Sequence, residues 1–313
     1  MWKKKINFNK KLKIMKSKIY LILFALVAFS CSSDSSSDDG NNNNNGGNNN
    51  TGNALLVSEI ISSDDDDPDY ISTNRYFYDG NKLTSIVEEY SYQNGGSGID
   101  YIYNFIYTNN KISRVDEYYG DTSTGIEGRY TFEYDNQGRI SSYNYCYLSS
   151  SGTCEYPDTN TFTYSSNGTV TNNYVTEAGS DYEEVGSYTL QLDNNGNIIS
   201  VNDSYQYEDE AGNLITEAFN GSLEFDNQNS PFKNIVGMDA IILMVIGEGL
   251  IQLSAYNNCI SYTADYPDLD EPDQYNFAYD YNEDGYPRQA IVTYSGGNFD
   301  EFSYTQTIEL NYY

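Results

Sequence analysis

Three groups of residues have the types and spacing to do chemistry. Asp280-x-Asn282-x-Asp284-Gly285 sets side-chain oxygens at alternate positions ahead of a glycine. Calcium loops wrap a hard cation with that spacing and then turn sharply. The twelfth position is Ile291 rather than a bidentate glutamate, and no helical pattern flanks the segment. A type I hairpin turn uses the same residues, so calcium and a plain turn both stay open. The acidic runs Asp64 to Asp67 and Asp268 to Asp273 could hold calcium loosely and read more simply as solvated loops. The second group is aromatic. Tyr101, Tyr103, Phe105 and Tyr107, and again Tyr143, Tyr145 and Tyr147, recur at every second residue. On a strand that period puts them on one face, either as sheet-building residues or as an exposed aromatic face that stacks on sugars or grips a protein. The third group is Cys146 and Cys154, which flank a six-residue return where a hairpin would bring them opposite each other. In an oxidising compartment they are expected to form a disulfide, leaving Cys259 as a buried free thiol.

Other chemistry is ruled out by composition. The chain has no histidine, which removes His-based triads, His-ligated zinc and the usual imidazole base. No glycine-rich phosphate loop or dinucleotide fingerprint occurs. The 46 acidic residues offer many carboxylate pairs for glycoside hydrolysis, and no spacing singles one out. The reading is therefore non-catalytic, with no cofactor beyond the calcium weighed above. Residues 1–30 hold eight of the 16 basic residues, so the rest of the chain sets eight against 46 acidic ones. Such a field repels nucleic acid, and no nucleic-acid partner is expected.

The elements that would position these groups are hairpins. In Phe132-Glu133-Tyr134-Asp135-Asn136-Gln137-Gly138-Arg139-Ile140, alternation runs into four turn-forming residues and then resumes. Asp135 suits the first position of a type I turn and Gly138 the left-handed position that closes it. Looser copies begin at Tyr78, Tyr107, Tyr164, Leu192 and Tyr207, each reaching a branched residue five to seven positions later. No window holds a helical period. The apolar stretch Met238 to Leu253 interrupts the pattern, and it reads as one or two short helices covering an end or face of the sheet. The expected fold is all-β: a long curved antiparallel meander of repeated hairpins, with a helical insertion near 233–253.

Upstream, a lysine-rich start leads into the apolar run Ile19 to Phe29, too short to span a bilayer as a stable helix and suited to a signal peptide. Residues 32–53 carry only Ser, Asp, Asn, Gly and one Thr, a composition that cannot bury surface and serves as a tether. The domains are thus 1–30 leader, 31–53 tether and 54–313 a single β domain.

Cys31, preceded by Ala28-Phe29-Ser30, resembles the lipobox cysteine of bacterial lipoproteins, though Ala28 and Phe29 depart from the usual pattern. That resemblance implies lipidation of Cys31 and a lipid anchor in the outer membrane. Ser32 to Asp39 resembles the acidic export tract of surface lipoproteins of the Bacteroidota, implying surface exposure; a periplasm-facing position is the alternative. Tyr134 to Ile140 matches the YD repeat of Rhs-type proteins. With the Asp284-Gly285-Tyr286-Pro287 hairpin and the Pro231-Phe232-Lys233 insertion, the domain is similar to Bacteroidota lipoproteins built from such repeats. The motif implies a β-meander and no catalytic residue. The function expected is that of a surface-anchored binding lipoprotein for glycan or protein. The alternatives are an accessory to an envelope complex and a carboxylate-based polysaccharide hydrolase.

Overall fold

A computed structural model describes residues 55–65, 67–180, 183–208, 214–247, 254, 256–266, 271–296 and 304–313. The expected leader, Cys31 and the tether lie outside the described residues. The first strands are β1 (Val57–Asp64), β2 (Tyr70–Asp79), β3 (Lys82–Tyr92), β4 (Ser97–Thr108) and β5 (Lys111–Tyr119). There follow β6 (Gly128–Tyr134), β7 (Ile140–Tyr147), β8 (Asp158–Tyr164), β9 (Thr169–Thr176), β10 (Glu184–Leu192) and β11 (Ile198–Glu208). After β12 (Leu214–Phe225) comes the helix α1 (Met238–Gly247), and then β13 (Cys259–Asp265), β14 (Asp273–Tyr281), β15 (Pro287–Ser295) and β16 (Tyr304–Tyr312).

Each strand pairs antiparallel with its neighbours in sequence, and β16 pairs with β1, with Leu310 opposite Ile60. The sheet is therefore a closed barrel of 16 strands and not the open meander expected from the sequence. The curling has a local cause. A register shift falls just before the turn aromatic in several hairpins, at Phe77/Tyr78, Ile106/Tyr107, Glu133/Tyr134 and Asp280/Tyr281. Bulges of this kind tighten twist and bend the sheet, and repetition carries the bend through a full circle.

The tight turns gather at one end. In the β6–β7 turn, Asp135 Oδ1 accepts from the backbone N–H of Gln137 and Arg139, both at 2.9 Å, while Gly138 takes φ +88°. Asp193 repeats the pattern toward Asn195 and Asn197. At β4–β5, Asn109 and Asn110 both take positive φ, the geometry of a type I′ turn. The copy beginning at Tyr207 departs from this scheme: it connects β11 to β12 at the opposite end, and its turn residues 209–213 lie outside the described set.

The insertion between β12 and β13 is spliced into one of these turns. Asp226 Oδ1 accepts from Gln228 N at 3.0 Å, as Asp135 does from Gln137, but its second donor is Asn258 N, 32 residues away, also at 3.0 Å. What lies between folds across the turn end. Val236 N bonds Asn81 O, Asn234 Nδ2 bonds Leu55 O, and Asn229 N bonds Gly285 O. Phe232 packs on Tyr76 with ring centroids 5.4 Å apart. Residues Ala240 to Val245 of α1 are all buried. A sheet of 16 strands is wide enough to enclose a channel; here this stopper and the apolar inner wall occupy the turn end.

Inside and outside have opposite polarity. Inward positions near the turn end are apolar, among them Leu83, Ile86, Ile112, Val115, Ile140, Val170 and Leu190. Outward positions include the exposed Thr131, Glu133, Thr161, Thr163, Asn173, Asn220, Ser222, Gln274 and Asn276, with the exposed apolar residues Phe77, Val185, Ile199, Ile260 and Ile291 among them. Ion pairs bridge the outer face: Arg75 to Glu59 at 3.1 Å and Glu89 at 2.9 Å, Arg129 and Arg114 to Asp116, and Arg288 to Asp280. A barrel that spans a bilayer carries the reverse, an apolar outer band. On this outer wall polar and charged side chains are interspersed with single apolar ones.

Candidate functional site

Away from the turn end, the inner wall changes character strand by strand. Along β3 the inward residues run Leu83, Ile86, Glu88, Tyr90; along β5, Ile112, Val115, Glu117, Tyr119; along β9, Val170, Asn172, Tyr174. β16 changes from Leu310 and Ile308 to Gln306, and β1 from Ile60 to Ser62. The order is apolar floor, then buried polar girdle, then tyrosine toward the end away from the tight turns, the mouth of the barrel. Ser62, Ser72, Asn74, Glu88, Asn160, Asn172 and Gln306 of that girdle are all buried.

On β3–β5 the cross-strand rows lead inward from the rim. Tyr119, 56 % exposed, is opposite Tyr101, which is opposite Glu88 at 4 % exposure. A second row runs from Tyr147, 61 % exposed, through Gly128 and Glu117 to Tyr103. The rings of Tyr101 and Tyr119 meet at 5.5 Å, and those of Tyr101 and Tyr103 at 6.1 Å. Neither carboxyl oxygen of Glu88 has a hydrogen-bond partner among the described residues. Burial pushes the Glu88 carboxyl well above the carboxylate range, reinforced by Glu117 and Asp100. Asp100, at the bulge beside Tyr101, is also raised by burial, as are Asp158 and Asp203 across the mouth. Burial, with the nearby Glu117 and Glu127 carboxylates, pushes the Tyr101 phenol up to about 12.

Glycine shapes this wall. A Cβ added at Gly98 would lie 2.8 Å from the Tyr90 hydroxyl. One at Gly128 would lie 2.6 Å from Glu117 Oε2 and 2.8 Å from the Tyr145 ring. A Cβ at Gly186 would likewise run into Tyr174. Each tyrosine thus lies across a glycine on the neighbouring strand rather than standing up from the wall.

The sequence-derived candidates fall as follows. Tyr101, Tyr103, Tyr143, Tyr145 and Tyr147 are all brought to the inner wall, so they form no exposed outer face. Tyr143 is only 4 % exposed and packs on Tyr130 and Phe132, whereas Tyr147 reaches the rim. Cys146 and Cys154 are joined across the β7–β8 return, Cα atoms 5.7 Å apart. Cys259 is a buried thiol whose Sγ bonds Ser261 O, and burial raises its pKa. The calcium candidates Asp280, Asn282 and Asp284 fall in the turn between β14 and β15. Asn282 Oδ1 accepts from the N–H of Asp284 and of Tyr286, both at 3.0 Å, closing an ordinary hairpin turn. Asp280 faces outward and pairs with Arg288. Among the described residues no group of three acids, histidines or cysteines is placed to hold a metal ion. The girdle carboxyls were missed by sequence reasoning. Their signal was the doublet Glu88-Glu89 in an alternating run, where one of two adjacent acids must face inward.

Comparison with protein-family models and with curated proteins found no match. Solved structures share the fold, two of them as follows. The chain is similar to a porin-like protein from Bacteroides uniformis, with 12 % identity, a TM-score of 0.50 and coverage of 82 % of this chain and 98 % of that one. It is similar also to a porin-like protein from Bacteroides vulgatus, with 13 % identity, a TM-score of 0.50 and coverage of 83 % and 99 %. The shared feature is the closed antiparallel barrel.

Proposed function

We propose that this protein is a tethered binding protein of the bacterial outer membrane, of the Bacteroidota type, which takes its ligand through the open mouth of the barrel. It is held by lipid on Cys31, with the barrel itself in water outside the membrane. The observation that carries this reading is the distribution of polarity: threonines and ion pairs outside, a stopper at one end, and a tyrosine and carboxylate wall at the other. A conducting pore would need both ends open and an apolar exterior. β1 starts at the stoppered end, where Tyr313 N bonds Leu56 O, which supports a tether that leaves the barrel at the end away from the mouth. Likeness to porin-like proteins of Bacteroides fits an envelope address. An exposed apolar patch at 238–253 would favour the accessory reading; Ala240 to Val245 within it are buried. A glycan is the favoured ligand, since flat tyrosine rings beside carboxylates and amides match the faces and hydroxyls of sugars.

Glycan-array binding by the purified protein tests this. Tyr101→Ala and Tyr145→Ala should each abolish binding, while Phe77→Ala, on the outer wall, should leave it intact. Binding lost through Phe77 alone would move the site to the outer wall. Release of reducing ends from a bound polysaccharide would favour the hydrolase.

A further inference from the structure

All eight basic residues beyond residue 30 are accounted for by the structure, and none is available to the mouth. Arg75, Arg114, Arg129 and Arg288 pair with carboxylates on the outer wall. Lys82, Lys111 and Arg139 lie over the rings of Tyr107, Tyr134 and Tyr164 at the turn end. Lys233 sits on the stopper, bonded to Asn229. The inner wall at β3–β5 nevertheless gathers Glu88, Glu117 and Asp100. Glu88 is 96 % buried, points to the inside of the barrel and lacks a partner for either oxygen among the described residues. A buried carboxyl without a partner is costly, and a cation from outside would relieve that cost.

Resting on the reading of the mouth as the binding site, we propose that the β3–β5 wall binds an organic ammonium group, seated on the Glu88 carboxylate and flanked by Glu117, Tyr101 and Tyr103. Tyrosine faces attract such cations, and the acids are not arranged in a metal-ligating cluster. The groups facing Glu88 are Tyr70, Asn74 and Tyr76 from β2, Asp100 and Tyr101 from β4, and Glu117 from β5. None of them carries positive charge. Seating an ammonium there ionises Glu88, and the proton leaves to solvent.

The test is calorimetric titration of the whole protein with glucosamine, N-acetylglucosamine, glucose, spermidine and calcium chloride. Glucosamine and spermidine should bind at least tenfold more tightly than the two neutral sugars. The heat should vary with the ionisation enthalpy of the buffer, reporting the released proton. Glu88→Gln should cut amine affinity at least tenfold and remove the buffer dependence; the less buried Glu117→Gln should weaken it by a smaller factor, with both variants checked for a native melt. Equal binding of glucosamine and N-acetylglucosamine would overturn the ammonium assignment while leaving the mouth as a sugar site. Calcium bound in preference to both amines would overturn it in favour of a metal. Amine binding unchanged in Glu88→Gln would remove both the residue and the inference.

Discussion

At the residue scale the fold's most unusual choice is Glu88, an acid in an inner wall that is otherwise apolar below it and aromatic above. Its raised pKa means that the native state prefers the protonated form. The linkage sign follows: the stabilisation is complete below the ordinary carboxylate range and is lost as pH rises through the elevated value. Asp100, Asp158, Asp203 and Asp239 shift in the same direction, so thermal melts should show a midpoint that falls between pH 5 and pH 8. Glu88→Gln should flatten that fall and raise the midpoint at pH 8 by roughly 2–4 °C, which corresponds to about 1 kcal/mol for a domain approaching this size. A melt of Glu88→Gln that tracks the parent at every pH would show that the carboxyl is not buried in solution. Gly128→Ala tests the same wall differently: its methyl group meets Glu117 and the Tyr145 ring, and about 1–3 kcal/mol of overpacking is expected. Little of this could be read beforehand. Periodicity told which residues share a face of a strand, but not which face would be enclosed, and so a ladder of tyrosines open to two readings became a lining.

At the element scale the hairpin repeat turns out to be a device for joining one hairpin to the next. The hydroxyl of Tyr134 donates to Ile112 O at 2.7 Å, that of Tyr164 to Ile140 O at 2.9 Å, and that of Tyr78 to Val57 O at 2.9 Å. Each turn aromatic thereby reaches the branched residue that opens the previous return strand. The basic residue before that branched one stacks on the same ring, Lys111 on Tyr134 and Arg139 on Tyr164. Tyr164→Phe should therefore cost about 1 kcal/mol in denaturant melts. Arg139→Ala should cost a similar amount, through the cation–π contact and the Asp135 bond. Asn110→Gly, at φ +61°, should stabilise by some tenths of a kcal/mol, because glycine holds that conformation without strain. The turn positions were legible because Asp, Asn and Gly are demanded by local geometry. The stopper was legible as a short apolar helical insertion covering an end or face of the sheet, but not in how it is joined to the turns. That Phe225-Asp226-Asn227-Gln228 opens like Tyr134-Asp135-Asn136-Gln137 was the available sign that a turn had been split to admit it.

At the scale of the whole molecule, closure was beyond the sequence, because it depends on small bends summing over all the strands and no single residue records the sum. The polarity of the outer wall can be checked simply. Cys31→Ser, expressed without a lipid anchor, should yield a detergent-free monomer that stays out of liposomes; a protein that precipitates unless detergent is supplied would count against the aqueous barrel. The seam between β1 and β16 bears on how such a ring comes into being. Its partners are some 250 residues apart in the chain, so zipping them is a late and slow event, and both flanks stay unpaired until β16 (Tyr304–Tyr312) is in place. A stop codon ahead of Tyr304 would strand two raw edges side by side, and fibrils seeded by strand addition, rather than a slightly weakened barrel, are the expected product.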